Sequence, residues 1–105
     1  MSNEYLIINM PEENEMSEYQ LELLDFGGWS LLSTHRGYNT SGKPEIKYIF
    51  KRPKYGDYYL TRDIWKSIFE MFKENPCLTF EEICKRSPEI MNWVNSVNFN
   101  NNEEE

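Results

Sequence analysis

The chemistry-bearing residues of this 105-residue chain are few: one histidine, two cysteines, one Gly-Lys pair and two acid clusters. His35 sits beside Arg36 in a glycine-bearing stretch. No Ser or Cys motif surrounds it that would make a nucleophile elbow or a Cys–His pair. It reads as a solvated loop histidine rather than a general base. Ser41-Gly42-Lys43-Pro44 has the Gly-Lys of a phosphate loop, but proline follows where Ser or Thr is needed, and the first glycine is missing. Cys77 and Cys84 are seven apart, which is neither a C-x-x-C redox pair nor a zinc-ligand spacing. They read as two reduced, partly buried thiols. The acids of residues 12–15 and 103–105 lack the spaced Asp, Asn and Gly order of a calcium loop. The expectation is a chain that is not an enzyme and has no metal and no cofactor.

Binding chemistry is better represented. The net charge of −7 is unevenly spread. Residues 1–34 carry seven acids and no Lys or Arg; residues 35–66 carry eight basic residues against three acids; residues 67–105 carry three against eight. An acidic particle with one basic region is repelled by a phosphate backbone at long range, and suits a protein partner with complementary charge better. The candidate partner-binding strip is Arg36, Tyr38, Lys43, Lys47, Lys51, Arg52, Lys54, Tyr55 and Tyr58. Tyr and Arg together favour interface hot spots. The plainer alternative is that the charges only solvate the surface and the tyrosines are half-buried in the sheet. A protein-interaction module is therefore the leading expectation. Nucleic-acid binding through the same basic–aromatic strip is its rival, and a small anionic ligand held between subunits is a third.

These residues must be positioned by secondary structure. Residues 5–10 are rich in β-formers and read as a strand ended by Pro11. Ser17 and Gln20 fit a capping box, with Met16 and Leu21 as a hydrophobic staple. Tyr19, Leu23, Leu24 and Phe26 give that helix its apolar face, and Gly27 is the expected left-handed C′ stop. Residues 29–34 alternate as a strand covered in part on both sides, and residues 35–44 read as a loop. In residues 45–52, Ile46, Tyr48 and Phe50 point one way and Lys47, Ile49 and Lys51 the other. Residues 58–60 suggest a short edge strand. Thr61 opens a helix with Ile64, Trp65, Ile68, Phe69 and Phe72 at helical spacing, and Asn75-Pro76 stops it. Thr79 and Glu82 form a second capping box for a helix ending near Arg86. Ser87-Pro88 starts a third, whose apolar face is Ile90, Met91, Trp93, Val94 and Val97.

The fold class expected is α+β: a small antiparallel β-sheet (β-α-β-β) with one packed helix, followed by a C-terminal three-helix unit. Residues 1–97 form a single domain, with 1–60 the sheet part and 61–97 the helical part. Residues 98–105 are too polar and acidic to pack and are expected to be a disordered tail.

The stretch Leu23-Leu24-Asp25-Phe26-Gly27-Gly28-Trp29-Ser30-Leu31-Leu32, followed by Tyr48-Ile49-Phe50-Lys51-Arg52-Pro53, resembles a group of small uncharacterised bacterial and phage domains. Their pattern is a helix ending in Leu-x-x-Leu-Gly, then Gly-Trp-Glu-Leu-Val, a hairpin loop and Tyr-x-Phe-Lys-Arg. The likeness spans roughly residues 4–53; Ser30 stands where the pattern has Glu. It implies a β-α-β-β fold and no particular biochemistry. Separately, a small acidic chain rich in Asn and Glu is, by analogy of composition, like phage-encoded accessory proteins, and a phage or bacterial accessory protein is expected, in the host-cell cytoplasm if phage-encoded.

In the residues themselves, Trp29 reads as an anchor between sheet and helix. The helical half echoes a helix-turn-helix, but residues 88–97 contain no Lys or Arg to meet phosphate, so a packing role is preferred and nucleic acid is disfavoured. An exposed edge strand would allow a homodimer or higher homo-oligomer by strand pairing. Met1-Ser2-Asn3-Glu4 has no basic signal-peptide region and no apolar run reaches the length of a membrane span, so a cytoplasmic location without membrane association is expected.

Overall fold

The computed structural model describes residues 2–56, 58 and 60–93. Val94, Val97, Tyr59 and the acidic tail fall outside the described residues. The chain divides into two compact units, Met1–Tyr58 and Tyr59–Glu105, a division two residues from the join expected at 60/61.

In the first unit, β1 (Asn3–Pro11) leads through one 3-10 turn (Glu12–Asn14) into α1 (Glu18–Phe26), then β2 (Ser30–Tyr38) and β3 (Pro44–Pro53). The sheet order is β1-β3-β2, with both pairings antiparallel. β1 and β2 therefore run the same way with β3 inserted between them, a split β-α-β arrangement. The helix that connects them must cross the sheet, and it can cross only one face. Leu6, Ile8 and Met10 of β1 and Ile46, Tyr48 and Phe50 of β3 are buried. The side chains between them, Tyr5, Ile7, Lys47 and Lys51, are exposed. The alternation expected along β3 is observed.

Local grammar sets the ends of α1. Ser17 and Gln20 form the capping box in both directions. This explains a departure from the expected apolar face. Gln20 is buried, because its side-chain oxygen accepts from the Ser17 N–H, while Tyr19 and Phe26 are exposed. Leu24, fully buried, is the residue the helix inserts. At the other end, the stop lies one residue later than expected. Gly27 has an ordinary φ of −80°, and it is Gly28, at φ 90°, that turns the chain. The Trp29 N–H donates to Leu24 O and the Gly28 N–H to Asp25 O, the paired bonds of a Schellman motif. Trp29 is thereby brought back beside the helix end, where it is 2% exposed.

β2 is longer than expected and less covered. Residues 35–38, read as loop, continue the strand opposite residues 44–47. The turn shrinks to residues 39–43, closed by the Asn39 side chain accepting from the Ser41 and Lys43 N–H groups and by Gly42 at φ 80°. Apart from half-buried Ser33, every residue of β2 is exposed, so the strand is not covered on both sides. Of the short edge strand expected at 58–60, neither Tyr58 nor Leu60 has strand backbone, and Tyr59 lies outside the described residues.

In the second unit, α2 (Arg62–Glu74) is capped by Thr61 and buries Trp65, Ile68, Phe69 and Phe72. α3 (Phe80–Arg86) carries the expected Thr79–Glu82 capping box. Residues 88–93 are helical, and the Ser87 carbonyl accepts from the Met91 N–H. Trp93 meets Trp65 and Phe80 edge-on, with ring centroids 5.6 and 5.8 Å apart. Among the described residues no helix is long and apolar enough to cross a membrane.

The two cysteines differ, with Cys77 exposed and Cys84 buried. Burial pushes the Cys84 thiol up, and the Glu81 carboxylate adds to this. Only the thiolate is reactive. Iodoacetamide at neutral pH is therefore expected to alkylate Cys77 first and Cys84 only after unfolding, with peptide mass spectrometry as the check. Equal rates for both would contradict that burial.

Candidate functional site

The expected basic strip does not stay together. Along β3, even positions face α1 and odd positions face outward, so Lys51 and Arg52 part company. Lys47 and Lys51 stand on the uncovered face, exposed. In register across the three strands, Asn9, Lys47 and His35 form one row, and Tyr5, Lys51 and Ser30 another, separated by Ile7, Ile49 and Ser33. No ion pair of Lys47 or Lys51 occurs among the described residues. Lys43 in the turn and Lys54 after β3 are also exposed, as are Tyr38 and Tyr55.

Arg52 is a correction. It is 3% exposed and cannot meet a partner. Its Nε donates to Glu4 Oε1 at 2.9 Å and its Nη1 to the Gly27 carbonyl at 2.9 Å. The guanidinium lies between two rings, 4.1 Å from the Trp29 centroid and 3.9 Å from that of Tyr58. A buried guanidinium is tolerable when its donors are used and aromatic faces replace its water. Tyr58 is corrected with it: half-buried, its ring closes over Arg52 rather than projecting as a binding residue. The ring also packs so tightly on Gly56 and Gly28 that neither position has room for a Cβ.

Arg36 falls on the same side of the sheet as α1 and is exposed there. Its Nη atoms lie 3.9 Å from Glu12 and 3.6 Å from Glu15, so the acidic turn after β1 shares its charge. His35 faces outward, its Nε2 3.1 Å from Ser33 Oγ. A nucleophile dyad needs its base oriented by a third group. Among the described residues no carboxylate bonds the His35 ring, and the pair is exposed. Nor does any group of three or more His, Cys, Asp or Glu among the described residues gather to hold a metal.

Two shallow depressions mark the turn end of the β2–β3 pair. One, about 190 Å³, is lined by His35, Arg36, Gly37, Tyr38, Glu45 and Lys47. The other, about 200 Å³, is lined by Pro11, Glu13, Asn39, Lys43, Pro44 and Glu45. Both fall short of the roughly 300–1,000 Å³ of small-molecule pockets. They suit a side chain of a larger partner better than a free ligand.

What sequence reasoning missed is the role of β2 as an open edge beside these lysines. The available signal was Gly37, a glycine that no turn requires. No protein-family model, curated protein or solved structure matches the chain.

Proposed function

We propose that this chain is a non-enzymatic protein-interaction module that binds a partner protein through the basic, tyrosine-bearing side of its sheet. The surface is Lys43, Lys47, Lys51 and Lys54, with Arg36, Tyr38 and Tyr55 at its margins. The observation that carries this reading is the sheet face on which Lys47 and Lys51 are exposed, with no ion pair among the described residues, on a chain of net charge −7. Surface lysines held by no carboxylate steer an acidic partner and oppose a basic one. The aromatic content around them also fits a stacking platform for single-stranded nucleic acid, but in the rows containing these lysines only Tyr5 and the small ring of His35 project from the uncovered face, at opposite edges of the sheet, whereas such platforms stack successive bases on neighbouring rings. The described part of the helix-turn-helix echo is poorly equipped for DNA: in residues 88–93 Trp93 is engaged in packing and Glu89, Met91 and Asn92 are the exposed larger side chains.

The test is affinity capture from native cells with the wild-type chain and with the Lys47→Glu, Lys51→Glu double variant. Both lysines are exposed, so stability should change by no more than about 0.5 kcal/mol per site. A stoichiometric protein should be recovered by the wild type, with at least roughly tenfold less on the charge-reversed chain. Recovery of nucleic acid alone, with affinity falling steeply as salt rises, would refute the proposal.

A further inference from the structure

We propose that the outer edge of β2, over residues 33–38, accepts an extended acidic segment of a partner protein as a fourth strand, with one carboxylate of that segment entering the depression on its His35–Lys47 side. This rests on the protein-interaction reading and names the mode and chemistry of the partner.

Four observations converge. β2 is an edge strand with eight of its nine residues exposed, so alternate N–H and C=O groups face outward with no strand beside them. The bulge between Leu31 and Ser33 ends the irregular part, and residues 33–38 stay in unbroken register with β3. Gly37 stands inside that regular stretch without an internal reason. Its φ is not positive, and a Cβ there would meet nothing within 4 Å. Glycine weakens a strand, and where the chain does not need it, it marks a close approach by another backbone or ligand. Finally, the missing side chain forms part of a depression of about 190 Å³ in which Lys47 stands across from His35 and Glu45 across from Gly37. Arg36 lines it too but is shared with Glu12 and Glu15, which leaves Lys47 as the lining cation with no ion pair among the described residues.

Geometry selects the acid. An added strand would lie about 4.8 Å from β2 and roughly 10 Å from β3. Its outward-facing side chains would meet the row of Ser33, His35 and Gly37, small enough at both ends for Lys47 to reach across along its flexible stem. Its other side chains would meet exposed Thr34, Arg36 and Tyr38, where an apolar side chain can pack on the Tyr38 ring and the Arg36 stem. A second copy of this chain fits poorly. Two β2 edges paired together would gather the Arg36 side chains of both copies on one face and the Lys47 side chains on the other, like charges together in each case. The β1 edge is a weaker template, since it ends in Pro11, which has no N–H.

The probe is a capped peptide alternating glutamate and valine, followed by fluorescence anisotropy and by amide hydrogen exchange of the intact chain. Saturable binding is expected, with slowed exchange on alternate amides of residues 33–38. Gly37→Val should fold with unchanged or higher melting temperature, yet bind roughly tenfold or more weakly, because it fills the depression in open space. Backbone N-methylation of alternate peptide residues should abolish binding. Equal affinity for the N-methylated peptide, or for one with lysine in place of glutamate, would overturn the proposal. So would concentration-dependent protection of β2 in the peptide-free chain, which would mean a second copy already occupies the edge. A native partner that needs Lys47 and Lys51 but leaves the β2 amides unprotected would overturn the added strand while leaving the interaction reading intact.

Discussion

Arg52→Ala should be the most damaging single substitution in the first unit, lowering unfolding free energy by about 3–5 kcal/mol. Removing the guanidinium leaves the half-buried Glu4 carboxylate without its 2.9 Å partner and the Gly27 carbonyl without its donor. It also opens a gap between the Trp29 and Tyr58 rings. A domain of this size holds a total of roughly 5–15 kcal/mol, so the loss is a large fraction of it. Arg52→Lys should recover little. A lysine has one compact ammonium where the site uses a planar fork stacked between two rings. Glu4→Gln should cost less, because Glu4 keeps 21% of its side-chain surface exposed and its amide oxygen still accepts. Urea unfolding followed by the resolved Trp29 indole NMR signal reads all three variants, separately from Trp65 and Trp93. A midpoint for Arg52→Ala equal to that of the wild type would refute the structural role.

That same residue shows what the sequence conceals. Its charge and its neighbours Lys51 and Lys54 suggest one basic strip, and composition has no means to separate them. The separation comes from pleating: adjacent residues of a strand face opposite ways, and only the position of α1 decides which way is inside. By contrast, what is local was legible. The capping boxes at Ser17 and Thr79 involve residues three apart, and they form as spacing predicts. The alternation of Ile46, Tyr48 and Phe50 with Lys47 and Lys51 is likewise a property of consecutive residues. β2 was misjudged for the opposite reason. Gly37, Asn39 and Gly42 all favour turns locally, yet the partner strand β3 continues to Pro44 and draws residues 35–38 into pairing. The charged edge is a non-local product of the strand order β1-β3-β2. The order puts β2 outermost, and α1 lies on the opposite face. Binding residues could thus be named from the sequence as types, but their sorting into a buried cation, a shared one and four exposed ones needed the fold.

Two glycines make the division between structure and surface measurable. Gly28→Val should destabilise the chain by about 3 kcal/mol or more. A residue with a Cβ at φ 90° is strained by roughly 1–3 kcal/mol before any contact is considered. The Cβ itself would stand 2.6 Å from Tyr58 Cε1, forcing off the ring that covers Arg52. The branched side chain would also disturb the Schellman turn, which delivers the Trp29 N–H to Leu24 O and so fixes the depth of the tryptophan. All three effects act at one corner, so Gly28→Val and Arg52→Ala should be less than additive when combined, because each already displaces Tyr58. Gly37→Val places the same side chain within β2, in open space and at an ordinary φ, and should cost nothing or stabilise slightly. Urea midpoints of the two variants, measured side by side, decide the matter. Equal and large losses at both positions would mean that the β2 edge is packed like the Gly28 corner, and a surface packed in that way has no room for another strand.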